Sequence, residues 1–155
     1  MPELPDITIY IEALRRVAGG QKLDKLQISD PFVLRSVDPA PDDFDGHTLV
    51  DVSRLGKRII LSFSGDLHVV IHLMIAGRLQ WRAADTKPLG RSALASLCFS
   101  SGTLVLTEAG STRRASIHLA GDTHQMMNHD PGGLEVLETN VEGFRCAITR
   151  ERQTL

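Results

Sequence analysis

The first periodic hydrophobic pattern of the chain lies at residues 5–18. Its apolar residues recur at steps of three and four: Ile7, Tyr10, Ile11, Leu14 and Val17. This spacing places them on one face of an α-helix. Pro5 and Asp6 suit the start of a helix, and the glycine pair at 19–20 suits its end. The pattern therefore predicts an amphipathic helix over residues 5–18.

Short apolar runs separated by turn residues fill most of the chain between residues 48 and 119. They are rich in Val, Ile and Leu and cover 48–55, 58–63, 67–74, 93–99, 104–107 and 115–119. The sequences SGD at 64–66 and SSG at 100–102 separate neighbouring runs and favour antiparallel hairpins. Strands at this spacing predict an antiparallel β-sandwich. We therefore expect a mainly β fold of the α+β class, with the N-terminal helix on its flank.

A helical pattern returns after the sequence DPGG at residues 130–133. The apolar residues that fall near one face are Val141, Phe144, Ile148 and Leu155. The chain ends within this pattern, without the glycine cap that often closes a helix. We therefore expect a longer protein, with one domain at residues 1–130 and the beginning of a second module at 131–155.

The composition is that of an ordinary globular domain. The chain has 155 residues, 42% of them hydrophobic and 23% charged, which excludes a disordered, collagen-like or coiled-coil protein. Its net charge of −2 lacks the basic excess of many nucleic-acid binders, so any polyanion site has to be local. No apolar run reaches the roughly 18 residues of a membrane span, and the start lacks the positive charge of a signal peptide. We therefore expect a cytoplasmic protein without a membrane partner.

The cysteine count speaks against metal or disulfide chemistry in this chain. Cys98 and Cys146 are its two cysteines, too few for a zinc site of cysteine type or a disulfide framework. We therefore expect no cofactor and no metal ion here. His118, His124 and His129 form the alternative metal set, although the residues between them are typical of a solvated loop.

The first residues carry the clearest candidate chemistry. Removal of Met1 would expose Pro2 as a secondary amine, and α-amino groups have a pKa of roughly 7.7 to 8, so part of this amine would be neutral at pH 7. A neutral amine can attack an aldehyde carbon, and the neighbouring Glu3 can transfer protons. The alternative is structural, since Pro2 and Pro5 can stiffen a terminus and Glu3 can favour a helix start.

Two further segments place polar residues at the ends of apolar strands. The sequence RLGKR at 54–58 sets Lys57 beside a glycine turn, where it can bind a phosphate or remain a solvated turn lysine. The sequence HLMIAG at 72–77 ends a strand with His72. A lone histidine there is more often a core residue than an active group.

Together these segments resemble the N-terminal domain of the formamidopyrimidine-DNA glycosylase and endonuclease VIII family. The resemblance covers nearly the whole chain and rests on MPELPD at 1–6, RLGKR at 54–58, HLMIAG at 72–77 and DPGGLEVL at 130–137. It implies a DNA-repair glycosylase with abasic-site lyase activity that excises oxidised bases. By the resemblance, Pro2 attacks C1′ and forms a Schiff base, Glu3 donates a proton to the sugar, and Lys57 contacts phosphate and assists β-elimination.

The resemblance also implies how the chain binds DNA. His72 matches a phosphate-contacting histidine. Ile75, Arg113 and Ala115 match the methionine, arginine and phenylalanine that fill the gap left by a flipped base, so the aromatic ring is absent, and the loop at 108–112 is longer than the family's. The positive groups expected along the DNA backbone are Lys57, Arg58, Arg78, Arg82, Arg91, Arg113 and Arg114.

Other expectations concern the whole protein. The resemblance implies that residues 131–155 begin a helix-two-turn-helix module and that one zinc ion is held beyond Leu155. The implied partner is double-stranded DNA with an oxidised base or an abasic site, bound by a monomer in the bacterial nucleoid. Two alternatives stay open: a catalytically silent damaged-DNA binder whose amine is blocked by Met1, and a tautomerase with Pro2 as general base.

Overall fold

The computed structural model describes residues 2–83, 90, 92–110, 112–135 and 137–150. Three α-helices lie within these ranges: α1 (Leu4–Ala18), α2 (Thr123–Met127) and α3 (Val141–Arg150). The strands are β1 (Leu23–Ile28), β2 (Leu49–Leu55), β3 (Arg58–Phe63), β4 (Leu67–His72), β5 (Gly77–Ala83), β6 (Ala93–Phe99), β7 (Gly102–Glu108) and β8 (Ser116–Ala120). Short 3₁₀ helices occupy Pro31–Val33 and Pro41–Phe44. Within the described ranges no helix combines the length and apolar character needed to cross a membrane.

The strands form two four-stranded antiparallel sheets, in the orders β1-β6-β7-β5 and β2-β3-β4-β8. This arrangement confirms the predicted mainly β sandwich with a flanking helix. The predicted hairpins at 64–66 and 100–102 join β3 to β4 and β6 to β7. Strands β1 and β5 and the short helix α2 were not predicted.

The core lies between the two sheets and beneath α1. Four residues of α1 are buried on the predicted apolar face: Ile7, Ile11, Leu14 and Ala18. They join one cluster with inward residues of both sheets, such as Leu61 and Leu106, which have no exposed surface. Burying a side chain of this size stabilises a fold by about 1.5 to 3 kcal/mol, so the cluster fixes α1 against the sandwich.

Residues 121–135 return along the outer face of the sheet β2-β3-β4-β8, and we call them the return segment. At one end, the Thr123 N–H donates to Asp66 Oδ2 at 3.0 Å. In the middle, Arg58 Nη1 donates to the carbonyl oxygen of His129 at 2.7 Å. At the other end, Arg54 makes two bonds to the Glu135 carboxylate, at 2.9 and 2.7 Å. The return segment is thus attached to the sheet along its length.

Several connections meet at one end of the sandwich, which we call the crossover end. It contains the β2–β3 turn at 56–57 and the connections at 73–76 and 109–115, where the chain passes between the sheets. The register shows this, because the pairs at this end are Arg58 with His72, His72 with Ser116, and Gly77 with Glu108. Residues 29–33 lead away from the same end, since Ile28 pairs with Ala95 near the start of β6.

Helix α3 agrees with the predicted pattern as far as Arg150, and residues 151–155 lie outside the described ranges. Its apolar residues Val141, Phe144 and Ile148 are exposed by 83%, 42% and 60%. The division of the chain at residues 130 and 131, and the assignment of α3 to a helix-two-turn-helix module, stay predictions.

Candidate active site

The structure brings Glu3 and Lys57 into contact across the crossover end. Lys57 Nζ lies 2.7 Å from Glu3 Oε2, and the two side chains are 43% and 54% exposed. Glu3 directly precedes α1, and its backbone N–H donates to Asp6 Oδ2 at 2.8 Å. Pro2 is buried beside them, whereas Met1 lies outside the described residues. Three residues singled out from sequence thus occupy one place, although 54 positions separate Glu3 from Lys57.

The backbone around Lys57 depends on glycine. Gly56 has a φ of +56°, which residues with a side chain rarely adopt. A Cβ atom there would also lie 2.9 Å from Pro131 Cγ of the return segment. Gly56 therefore permits both the tight turn that presents Lys57 and the close approach of the return segment.

This arrangement supplies three kinds of chemistry beside residue 2. A carboxylate can take or give a proton, an ammonium can neutralise a phosphate, and the start of α1 adds the partial positive charge of a helix N-terminus. Because Glu3 and Lys57 are both partly exposed, each remains accessible to a substrate that approaches the crossover end.

His72 lies next to Arg58 in the register of β3 and β4. Burial lowers the pKa of His72, and the positive charges of Arg58 and Lys57 lower it further. The imidazole is therefore neutral near pH 7, with one nitrogen able to donate a hydrogen bond. This position is compatible with the predicted contact to phosphate.

Ile75 and Arg113 lie on the two connections that cross between the sheets. Ile75 is 52% exposed and follows Met74, whose φ of 55° forms a tight turn. Arg113 Nη1 donates to Asp30 Oδ2 at 2.5 Å. Arg114 is exposed beside it. Both connections face the same end as Lys57, whereas the predicted DNA contact Arg91 lies outside the described residues.

Ala115, the third residue matched to the gap-filling set, is buried in the structure. It is only 3% exposed and belongs to the core cluster. Its N–H donates to Glu108 Oε2 at 2.9 Å, and the N–H of Arg114 donates to the same oxygen at 2.8 Å. Because the methyl group of Ala115 is buried, residue 115 offers no side chain to the gap of a flipped base, and its match to the position of the family's phenylalanine stays a prediction.

Arg82 lies apart from Arg78, and its predicted contact with the DNA backbone stays a prediction. Arg78 pairs with Thr107 near the crossover end, but Arg82 pairs with Thr103 toward the opposite end of β5. At about 3.3 Å per residue the two arginines are about 13 Å apart along the strand. Arg82 therefore does not join the cations at the crossover end.

Two cavities lie next to these residues. One of about 650 Å³ is bounded by α1, the end of β2, residues 130–135 and Glu138, and it does not include Pro2, Glu3 or Lys57. A smaller one of about 220 Å³ is lined by Lys57 together with Leu4, Gly56, Leu134, Glu135 and Leu137. We place the candidate site at Glu3 and Lys57 rather than in the larger cavity, because the reactive groups meet there.

The histidines considered for metal binding are arranged differently. The rings of His118 and His129 lie with their centroids 4.3 Å apart and their planes tilted by 46°. Burial lowers the pKa of His118 to about 4, aided by His129 and Arg58. Among the described residues, no group of three or more His, Cys, Asp or Glu side chains is placed to hold a metal ion.

The family model of the formamidopyrimidine-DNA glycosylase N-terminal domain matches residues 1–119. The chain belongs to the formamidopyrimidine-DNA glycosylase family. Curated relatives include the formamidopyrimidine-DNA glycosylase of Mycoplasma genitalium, 32% identical over 89 residues that make up 56% of this chain and 31% of that protein. That of Solibacter usitatus is 28% identical over 70% of this chain and 40% of its own length. The matched part thus spans about a third of these family members.

Solved structures of the family share the fold. The formamidopyrimidine-DNA glycosylase of Lactococcus lactis, bound non-covalently to DNA with an AP site, superposes with a TM-score of 0.74 at 21% identity. The superposition covers 83% of this chain and 48% of that one. The same enzyme in complex with DNA that contains Fapy-dG gives the same TM-score at 21% identity, over 82% and 47% of the two chains.

Sequence reasoning missed Asp30 and Glu108. Neither stands in a motif quoted for the family, and each acts on residues far away in the chain or on backbone N–H groups. The available signal was the position of Glu108 directly after the apolar run at 104–107. An acidic residue in such a run needs partners, because acidic side chains are rarely buried without them.

Proposed function

We propose that the protein carrying this chain is a DNA-repair glycosylase that excises oxidised bases and cleaves the resulting abasic site. The observation that carries the proposal is the contact of 2.7 Å between Lys57 Nζ and Glu3 Oε2, directly beside residue 2. Membership of the family supplies the substrate class, which is double-stranded DNA with a damaged base or an abasic site.

The proposed reaction begins at Pro2 after removal of Met1. The neutral secondary amine attacks C1′ of the damaged nucleotide, the bond from C1′ to the base breaks, and the base leaves as an anion that takes a proton from water. The Glu3 carboxylate takes the N–H proton of the new ammonium and donates it to the ring oxygen of the sugar, which opens the ring and gives an iminium between Pro2 and C1′. Loss of a proton from C2′ then expels the 3′ phosphate.

The remaining residues bind the strand that is cut. Lys57 neutralises the phosphate that leaves, and His72 donates a hydrogen bond to a neighbouring phosphate. Ile75 and Arg113 enter the gap left by the flipped base, while Arg91 and Arg114 contact the DNA backbone. A monomer in the bacterial nucleoid would suffice for this chemistry, because every group named lies on one chain.

The zinc ion that the family resemblance implies does not fit this chain. Cys98 and Cys146 are its two cysteines, and Cys146 is exposed on α3. They do not make a four-thiolate site. No step of the proposed reaction passes through a metal ion, and we propose that the zinc is held beyond Leu155.

Imine trapping tests the proposal. Borohydride should reduce the imine and link the parent protein to a duplex with an abasic site or 8-oxoguanine. Pro2→Gly should lose most of this adduct, whereas the matched control Pro5→Ala, in the first turn of α1, should retain it. Glu3→Gln should lose base excision and keep more of the lyase reaction. Equal trapping of Pro2→Gly and the parent would show that another amine attacks.

Intact mass decides between the enzyme and the silent homologue. Loss of one methionine from the purified protein leaves the Pro2 amine free, as the proposal requires. Retention of Met1 together with selective binding of damaged DNA would overturn the enzymatic proposal in favour of a non-catalytic damage binder.

A further inference from the structure

An aromatic side chain is exposed to solvent at the crossover end. Phe32 is 80% exposed, whereas Phe44, Phe63 and Phe99 are exposed by 4% or less. It lies in the 3₁₀ helix Pro31–Val33, on the connection that leaves β1. A phenylalanine so exposed leaves a large apolar surface in contact with water, so its position invites a functional explanation.

Asp30 fixes the backbone of this residue. Its Oδ1 accepts from the Phe32 N–H at 3.1 Å, and its own N–H donates to the Leu94 carbonyl oxygen at 3.0 Å. The next residue, Val33, is 3% exposed and is part of the core. The backbone at Phe32 is therefore anchored on both sides while the ring projects from the protein.

The same aspartate connects Phe32 to Arg113. Asp30 Oδ2 accepts from Arg113 Nη1, and this bond is the main reason that the pKa of Asp30 is lowered. One carboxylate thus bonds both the backbone of Phe32 and a cation that the proposed function directs into the gap of the flipped base. Ile75 is exposed on the neighbouring connection at the same end.

We propose that Phe32 stacks on the partner base left unpaired when the damaged nucleotide is flipped. The inference rests on the proposed function, and it follows from what such a gap requires: an orphaned base needs an apolar planar surface to replace its lost neighbour. Ala115 is buried and cannot provide one. Phe32 carries the ring, Asp30 fixes the backbone that presents it, and Arg113, bonded to the same carboxylate, enters the gap beside it.

The test uses the whole protein and a duplex with a stable abasic analogue opposite 2-aminopurine, whose fluorescence falls when it stacks. Phe32→Ala should weaken binding of this duplex by about five- to a hundredfold, the range expected for one stacked base. Binding of an undamaged duplex should change little, and the 2-aminopurine fluorescence of the complex should rise. Phe32→Tyr keeps a ring and should behave like the parent.

Val37→Ala is the matched control. Val37 is 97% exposed on the same connection, so its truncation also removes exposed apolar surface but no ring. If Phe32→Ala and Val37→Ala bind the lesion duplex equally well, the proposal is overturned. An equal loss on damaged and undamaged DNA would also overturn it, because it would mean a general contact.

The proposed function fails separately. If the parent forms no borohydride adduct but Phe32→Ala still weakens lesion binding selectively, the stacking role is supported and the enzymatic proposal is refuted. If the adduct forms normally and Phe32→Ala changes neither affinity nor fluorescence, the enzymatic proposal stands and the stacking role is refuted.

Discussion

Substitution of the buried Glu108 tests how residues 113–115 are held in place. Glu108 is only 2% exposed, and its Oε2 accepts hydrogen bonds from the N–H groups of both Arg114 and Ala115. Glu108→Ala would leave these donors without their acceptor. Each buried donor left unsatisfied costs roughly 1 to 3 kcal/mol, so we expect a loss of about 2 to 5 kcal/mol in the free energy of unfolding.

The magnitude can be measured by urea unfolding, followed through the fluorescence of Trp81. Glu108→Gln keeps a carbonyl oxygen that can accept both bonds, so its loss should be about 1 kcal/mol or less. Glu12→Gln is the matched control, because it makes the same change at an exposed position of α1 and should stay within about 0.5 kcal/mol of the parent. A loss below about 1 kcal/mol for Glu108→Ala would refute the idea that this carboxylate organises residues 113–115.

Three other outcomes are expected. Lys57→Ala should reduce the slope of log affinity against log salt by about one when the whole protein binds DNA. An unchanged slope with unchanged cleavage would mean that Lys57 is a solvated turn lysine without a contact to phosphate. Gly77→Ala should destabilise the fold by about 2 kcal/mol or more in urea unfolding, because its Cβ would lie 2.3 Å from the Leu73 carbonyl oxygen. The control Gly90→Ala places its Cβ in open space and should leave the free energy of unfolding unchanged. The fold lowers the pKa of His118 from 6.5 to about 4, so the contribution of neutral His118 to the free energy of unfolding is fully present above pH 6.5. We expect about 1 to 2 kcal/mol of it to be lost as the pH falls toward 4. His118→Gln should reduce this loss in acid unfolding.

The repeating parts of the fold could be predicted because their signals are local. The helix at 5–18 and the two hairpins follow from periodicity and turn residues, and α1 differs from its prediction by one residue. Strand β1 was missed because its register shifts between Leu23 and Lys25, which breaks the alternation of apolar and polar residues. Helix α2 has five residues, too few for a periodic signal.

The site was predictable in its residues but not in its contacts. Resemblance to the family singled out Glu3 and Lys57, yet nothing local indicates that their charged atoms meet at 2.7 Å. Ala115 shows the same limit, because the apolar run at 115–119 predicts a strand but not the bond that fixes its first residue. Its burial is decided by Glu108, seven positions earlier in the chain, and only the folded structure shows that bond.

The attachment of the return segment determines where α3 can pivot. Gly132 and Gly133 have positive φ values and would be the obvious flexible joint from sequence. However, Arg54 donates two hydrogen bonds to Glu135, which follows both glycines in the chain. The side chain of Asn140 caps the first turn of α3, because its Oδ1 accepts from the Gly143 N–H at 2.8 Å. Gly132 and Gly133 therefore lie between two positions bonded to the sheet, His129 and Glu135. A rotation of α3 relative to the sandwich therefore does not use Gly132 and Gly133 as its hinge.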